Sequence, residues 1–263
     1  MITCTFVSII GKDFCLKEWY ENLRRIEVPK GDMKLLWVVG RHVEDQVRMC
    51  FDEFKVGFKE SELLVSPFRF YSHREESTSP EGFSKKRWGV AFNMNLVNQY
   101  RKGDLFVVED DIFPPPDAYS KLSTLVRIPN TGVATGVARS FKALKSPDTY
   151  SAWIFIKKPV ISRENIALIK EEVGNFDFYD YQIVRMPDGE GVEDIHASGT
   201  VCTYINEAAL KDYIFKGESN MFTGQDVNLG WHVTHELNLR YLADWSIKCE
   251  HWELDAQDDI KIK

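Results

Sequence analysis

The chain has 263 residues, 44% of them hydrophobic and 28% charged, which is apolar mass enough for one large α/β domain or two small ones. Its formal net charge of −7, with no Lys/Arg-rich block, argues against nucleic acid as a partner. Five scattered cysteines with no CxxC pair speak against a disulfide framework and a thiolate zinc site.

The N-terminal MITCTFVSIIGKD has no basic leader and no small-residue cleavage site, so a cytoplasmic, reducing setting is expected. No apolar stretch approaches the roughly 20 residues that span a bilayer, which leaves peripheral membrane association open. Residues 3–10 are β-branched and apolar, close at Gly11, and predict a buried strand. Leu16, Trp19, Tyr20, Leu23 and Ile26 recur at helical spacing, and Pro29 and Gly31 end that helix. Residues 34–39 predict a second buried strand ending at Gly40, followed by a helix over 44–54 and a short strand over 62–65. Residues 66–84, with two prolines and several serines, read as a loop, and 88–100 as a helix. The strand 104–108 follows directly. This alternation predicts a mostly parallel sheet flanked by helices.

Beyond Pro116 the pattern predicts helices over 118–127 and 162–173 and strands over 132–139, 151–156 and 198–205. An aromatic-rich segment, 176–186, leads into an acidic loop over 187–194. A helix start at Asn206-Glu207, a helical segment over 223–231 and a strand over 240–248 complete the series.

The chemistry concentrates at Asp104 to Pro116, DLFVVEDDIFPPP. A buried strand that ends in three acids delivers carboxylates to the rim of an α/β sheet. Adjacent carboxylates repel, and a divalent cation with oxygen ligands removes that cost. A solvated acidic turn is the other reading of such a triplet. The basic cluster Lys85-Lys86-Arg87 is too short for nucleic acid and suits a phosphate or diphosphate. There is no P-loop, GxGxxG or GxSxG, and His232-Val233-Thr234-His235-Glu236 has the wrong order for a zinc protease.

The ordered set of pieces resembles the glycosyltransferases of the GT-A fold. Strand, Glu109-Asp110-Asp111 and proline resemble their DxD-type motif, and the likeness is to family-2 members. Ahead of it stand FVSII and Lys86-Arg87-Trp88 with Asn93-Met94-Asn95. After it come Ala197-Ser198-Gly199-Thr200, Thr223-Gly224-Gln225-Asp226-Val227 in place of the usual Glu-Asp motif, and His251.

The resemblance implies a single GT-A-like domain, with residues 1–116 as nucleotide-binding half and 117–263 as acceptor-side half carrying a smaller mixed sheet. It implies transfer of a sugar from a UDP- or GDP-sugar to a carbohydrate or other hydroxyl acceptor, with Mn²⁺ or Mg²⁺. Asp111 would hold the metal, with Glu109 and His251 beside it. Asp226 would be the general base, which suits inversion. Ser8, Ile10, Gly40, Arg87, Asn93, Glu109, Asp110 and Gly199 would serve nucleotide and donor, with a structural turn cap as the other role for Asp110. A metal-dependent nucleotidyl- or phosphotransferase, or a catalytically silent nucleotide- or carbohydrate-binding protein on this fold, are the alternatives.

Overall fold

The first two apolar runs become neighbouring strands because each is too short for a helix and is covered on both faces. A computed structural model describes residues 1–67, 80–139, 150–157, 181–186, 188–217, 224–254 and 260–262. Strand β1 (Cys4–Ile10) pairs in parallel with β2 (Met33–Gly40), Cys4 opposite Met33 and Ile10 opposite Val39. Helix α1 (Leu16–Leu23) makes the crossover between them. Helix α2 (Glu44–Phe54) leads to β3 (Glu60–Ser66), parallel to β2. Helix α3 (Pro80–Tyr100) then returns the chain to the far side of β1, where β4 (Asp104–Val108) pairs in parallel with it.

The order so far is β3-β2-β1-β4, and the sheet continues across residue 116. After β5 (Ile112–Phe113) and α4 (Ala118–Leu125) come β6 (Thr131–Ala138), β7 (Ala152–Lys157) and β8 (Tyr181–Arg185). Next are β9 (Val192–Ile195), β10 (Ala197–Ser198), β11 (Cys202–Ile205), α5 (Glu207–Leu210) and α6 (Gln225–Trp231). Strands β12 (Arg240–Leu254) and β13 (Ile260–Ile262) follow. Ten strands form one sheet in the order β13-β12-β6-β11-β4-β1-β2-β3, with β5 and β9 also on β12. Strand β11 opposes both of its neighbours, whereas β6 and β12 are parallel. The second sheet, β10-β7-β8, is small and antiparallel.

Alternation along β1 divides the core. Phe6 and Ile10 join Trp19, Leu23, Trp37, Phe51 and Phe54 beneath α1 and α2. Val7 joins Leu36, Val38, Leu105 and Val107 against Ala91, Met94 and Val97 of α3. Trp37 stacks on Phe54 with ring centroids 5.5 Å apart. Each such buried aromatic contributes about 1.5–3 kcal/mol relative to exposure.

Four expectations change. Helix α3 begins at Pro80, inside the expected loop, because proline lacks only an N–H that the first helical turn leaves unbonded anyway. The strand over 198–205 is two strands, β10 in the small sheet and β11 in the large one, separated at Gly199 to Val201. The acidic loop over 187–194 contains most of β9, because β12 offers an edge for it to pair with. Strand β12 runs past 248, so His251 lies within a strand and pairs with Ile112. The helix over 162–173 and Thr223 lie outside the described residues.

Candidate active site at the carboxyl ends of β1 and β4

The chain leaves β1 toward β2 on one side and comes back to β4 on the other. At such a switch point the loops after the two strands part and leave a crevice, the usual ligand position in an open parallel sheet. The loop after β1 carries Gly11 and Lys12, and the loop after β4 carries Glu109, Asp110 and Asp111.

These two loops are bonded to each other. Asp110 Oδ2 accepts the Gly11 and Lys12 backbone N–H groups at 2.6 and 2.7 Å. The Lys12 ammonium lies 3.3 Å from Asp110 Oδ1 and donates to Asp111 Oδ2. His251 Nε2 is 3.2 Å from that same Asp111 oxygen. The Thr200 hydroxyl donates to Glu109 Oε1 at 2.6 Å. Trp19 Nε1 donates to the Glu109 carbonyl at 3.0 Å, which ties the site to the aromatic core. Asp110 and Asp111 are only 4% and 3% exposed, so the triplet is not a solvated turn.

The charges are therefore unequal. Burial pushes the Glu109 carboxyl above its ordinary range, and the Asp111 charge adds to the rise. Asp110 moves the same way, burial raising it most, with Lys12 opposing and Asp111 adding. Burial also works against the Asp111 charge, but Lys12 and His251 outweigh it and hold this carboxyl below its ordinary range. Lys12 feels burial first as well; Asp110, Asp111 and Glu109 nonetheless keep its pKa well above the usual lysine value.

The residues fit a divalent ion. Asp111 Oδ1 is buried and has no hydrogen-bond partner among the described residues. A carboxylate oxygen without a donor, beside an imidazole, is a donor set that Mn²⁺ accepts. Among the described residues no group of three or more His, Cys, Asp and Glu side chains stands ready for a metal. Asp111 and His251 would thus share such an ion with water and phosphate oxygens.

Two solved glycosyltransferases superpose on this chain. Mannosyltransferase PcManGT from Pyrobaculum calidifontis, in complex with GDP-Man and Mn²⁺, matches with a TM-score of 0.55 over 95% of this chain, at 10% identity. GalNAc-T7, with UDP, GalNAc and Mn²⁺, matches with a TM-score of 0.57 over 95% of this chain, at 8% identity. The fold is GT-A-like. This chain spans 56% and 44% of the two structures' own lengths. The A197 protein from STIV covers 100% of this chain, but at a TM-score of 0.41. No protein-family model and no curated protein matches the sequence.

On this GT-A-like scaffold the predicted residues do not all come together. Asp111 meets His251, Lys12 bridges Asp111 to Asp110, and Glu109 bonds Thr200, the residue after Gly199. Gly40 ends β2 opposite Ser66, whose hydroxyl donates to Asn93 Oδ1 at 2.8 Å, so these residues cluster on the next stretch of the same sheet edge. Ser8 and Ile10 are fully buried in β1. Arg87 lies in α3, with its side chain outside the described residues.

Asp226 stands in the first turn of α6, where its Oδ1 accepts its neighbour Val227's N–H at 2.9 Å. Gly224 caps that turn at φ 104°, and a Cβ there would come within 2.7 Å of Asp226 Oδ1. Val227 packs with Ala197 and Phe155, so α6 sits on β10, two residues before Gly199. The Asp226 charge is felt at Tyr213 and Tyr241.

Lys12 and Thr200 bond the acids directly, and sequence reasoning did not single them out. A lone lysine in Gly-Lys-Asp has no pattern, but its place directly after the first strand of a parallel sheet was a usable signal. Elsewhere, a cavity of about 540 Å³ lined by Asp104, Tyr119, Arg127, Thr131 and Tyr204 opens at the opposite, amino-terminal end of β4 and β6.

Proposed function

We propose that this protein is a glycosyltransferase that moves a sugar from a UDP- or GDP-sugar to a hydroxyl acceptor, with Mn²⁺ or Mg²⁺. The observation that supports it most is the pairing of the buried Asp111 with His251 at the switch point between β1 and β4. The two superposing transferases, solved with GDP-Man or UDP and with Mn²⁺, support the same reading.

In this reading Asp111 and His251 hold the ion. The ion, once bound, supplies positive charge to the departing diphosphate. Glu109 is fixed by Thr200 and faces the ribose or the ion's waters. Asp110 spends its carboxylate on Gly11 and Lys12 and shapes the loop over which the donor lies. Gly40, Asn93 and Arg87 flank the nucleotide, Ser8 and Ile10 build the strand beneath it, and Gly199 lies on the donor side. Residues 1–116 form the nucleotide half of one domain, and residues 117–263 shape the acceptor site. Asp226 removes the proton from the acceptor hydroxyl as it attacks the anomeric carbon, in a single inverting displacement.

The test is incubation with UDP- and GDP-sugars and Mn²⁺, with chromatography of the nucleotide products. Release of a nucleoside diphosphate is expected, reduced at least ~100-fold in Asp111→Asn. Release of monophosphate or pyrophosphate would point to a nucleotidyl- or phosphotransferase instead. Unchanged turnover in Asp111→Asn would overturn the reading.

A further inference from the structure

Lys12 has no part in the chemistry just described, yet its side chain is set firmly against the acids. Its backbone N–H and that of Gly11 hold one oxygen of Asp110. Its side chain then folds back, so that the ammonium bridges Asp110 Oδ1, at 3.3 Å, and Asp111 Oδ2. The oxygen it holds on Asp111 is the one that faces His251. Asp111's other oxygen is buried without a partner among the described residues.

An ammonium on Asp111 Oδ2 repels a divalent ion drawn to either oxygen of that carboxylate, and it occupies the oxygen that faces His251. The lysine side chain is 30% exposed on a flexible stem, so it has a route away from Asp111. The backbone bonds to Asp110 do not depend on where the ammonium goes, so the loop keeps its shape when the side chain leaves.

The geometry points to Lys12 as a resident counter-cation that sets the divalent-metal affinity of the acid site: a metal at Asp111 and His251 competes with the Lys12 ammonium for the Asp111 carboxylate. This inference rests on the proposed function to the extent that the acid site takes a divalent ion. Lys12 is a positioning residue here, and it acts on the ion through Asp111.

The test uses Mn²⁺ alone on the whole chain, with free ion counted by electron paramagnetic resonance. Lys12→Met keeps the apolar stem, removes the charge, and is expected to bind Mn²⁺ about 10-fold more tightly than the unaltered protein. Lys12→Arg keeps the charge and is expected to stay within about 3-fold of it. Asp111→Asn is expected to lose the bound ion in either background. Circular dichroism melts accompany each variant, and Lys12→Gln replaces Lys12→Met if the latter does not fold.

Equal or weaker Mn²⁺ binding in Lys12→Met overturns the inference, as does the same gain in Lys12→Arg, since charge would not then be the cause. No sugar nucleotide enters this experiment. Tighter Mn²⁺ binding in Lys12→Met, together with no nucleotide release from any donor, would sink the transferase reading and leave this one standing.

Discussion

Glu109 is half-buried, and its Oε1 takes a 2.6 Å hydrogen bond from the buried Thr200. Valine at 200 keeps the shape and removes the donor, which leaves a largely desolvated carboxylate oxygen unmet. Thr200→Val is expected to lower unfolding free energy by about 1–3 kcal/mol, read from urea midpoints at constant slope. An unchanged midpoint would mean that water replaces Thr200 at no cost. The acids themselves were legible as a cluster at a strand end, but only their burial in the structure separates them from a solvated turn. Their partners were not. Thr200 is 91 residues away and His251 is 140, and no local pattern encodes such a distance. Only the likeness to an ordered family of motifs picked out His251, and it named Gly199 where the side chain that bonds Glu109 is the next residue's.

Strands and helices were legible where a local rule governs them. Helix α2 spans the predicted 44–54, because its buried Val47, Phe51 and Phe54 repeat at helical spacing and acids fill its first turn. Strand β10 was not separable from β11, because the apolar residues do not reveal which sheet each one joins. Its role is clearer in packing. Gly230 of α6 lies so close to β10 that an added Cβ would stand 2.3 Å from the Ala197 Cβ and 2.5 Å from the His196 carbonyl. Gly230→Ala must therefore push α6 off β10, at a cost of about 1–3 kcal/mol. Because α6 carries Asp226, transfer to acceptor is expected to fall more than nucleotide binding, checked by comparing product formation with calorimetry of UDP or GDP. Equal losses in both would place the damage in the fold at large.

At the scale of the molecule, a net charge of −7 works against an anionic ligand approaching it. Association with a free nucleoside diphosphate is expected to speed up, or stay level, as salt rises from low ionic strength, because screening removes repulsion. Stopped-flow tryptophan fluorescence would follow it, since Trp19 bonds the backbone of Glu109. A steep fall with salt would instead reveal a local positive funnel that outweighs the total charge. The parallel pairing among β3, β2, β1 and β4 was foreshadowed by alternating strand and helix patterns, but their order was not. The antiparallel β11 was not, because two strands, β4 and β6, must already be in place to create the gap it fills.

That same topology governs how the protein comes into being. Parallel β1 and β4 meet across about a hundred residues of chain, and β12 reaches the acids from farther still. Each closure costs chain entropy before any contact returns it, so folding of this kind is slow. During synthesis Asp110 and Asp111 emerge well before His251 does. Until β12 docks, the Lys12 ammonium is the cation among these side chains that is already made and able to quiet them. A nascent chain therefore has part of its charge compensation in hand long before its site is complete.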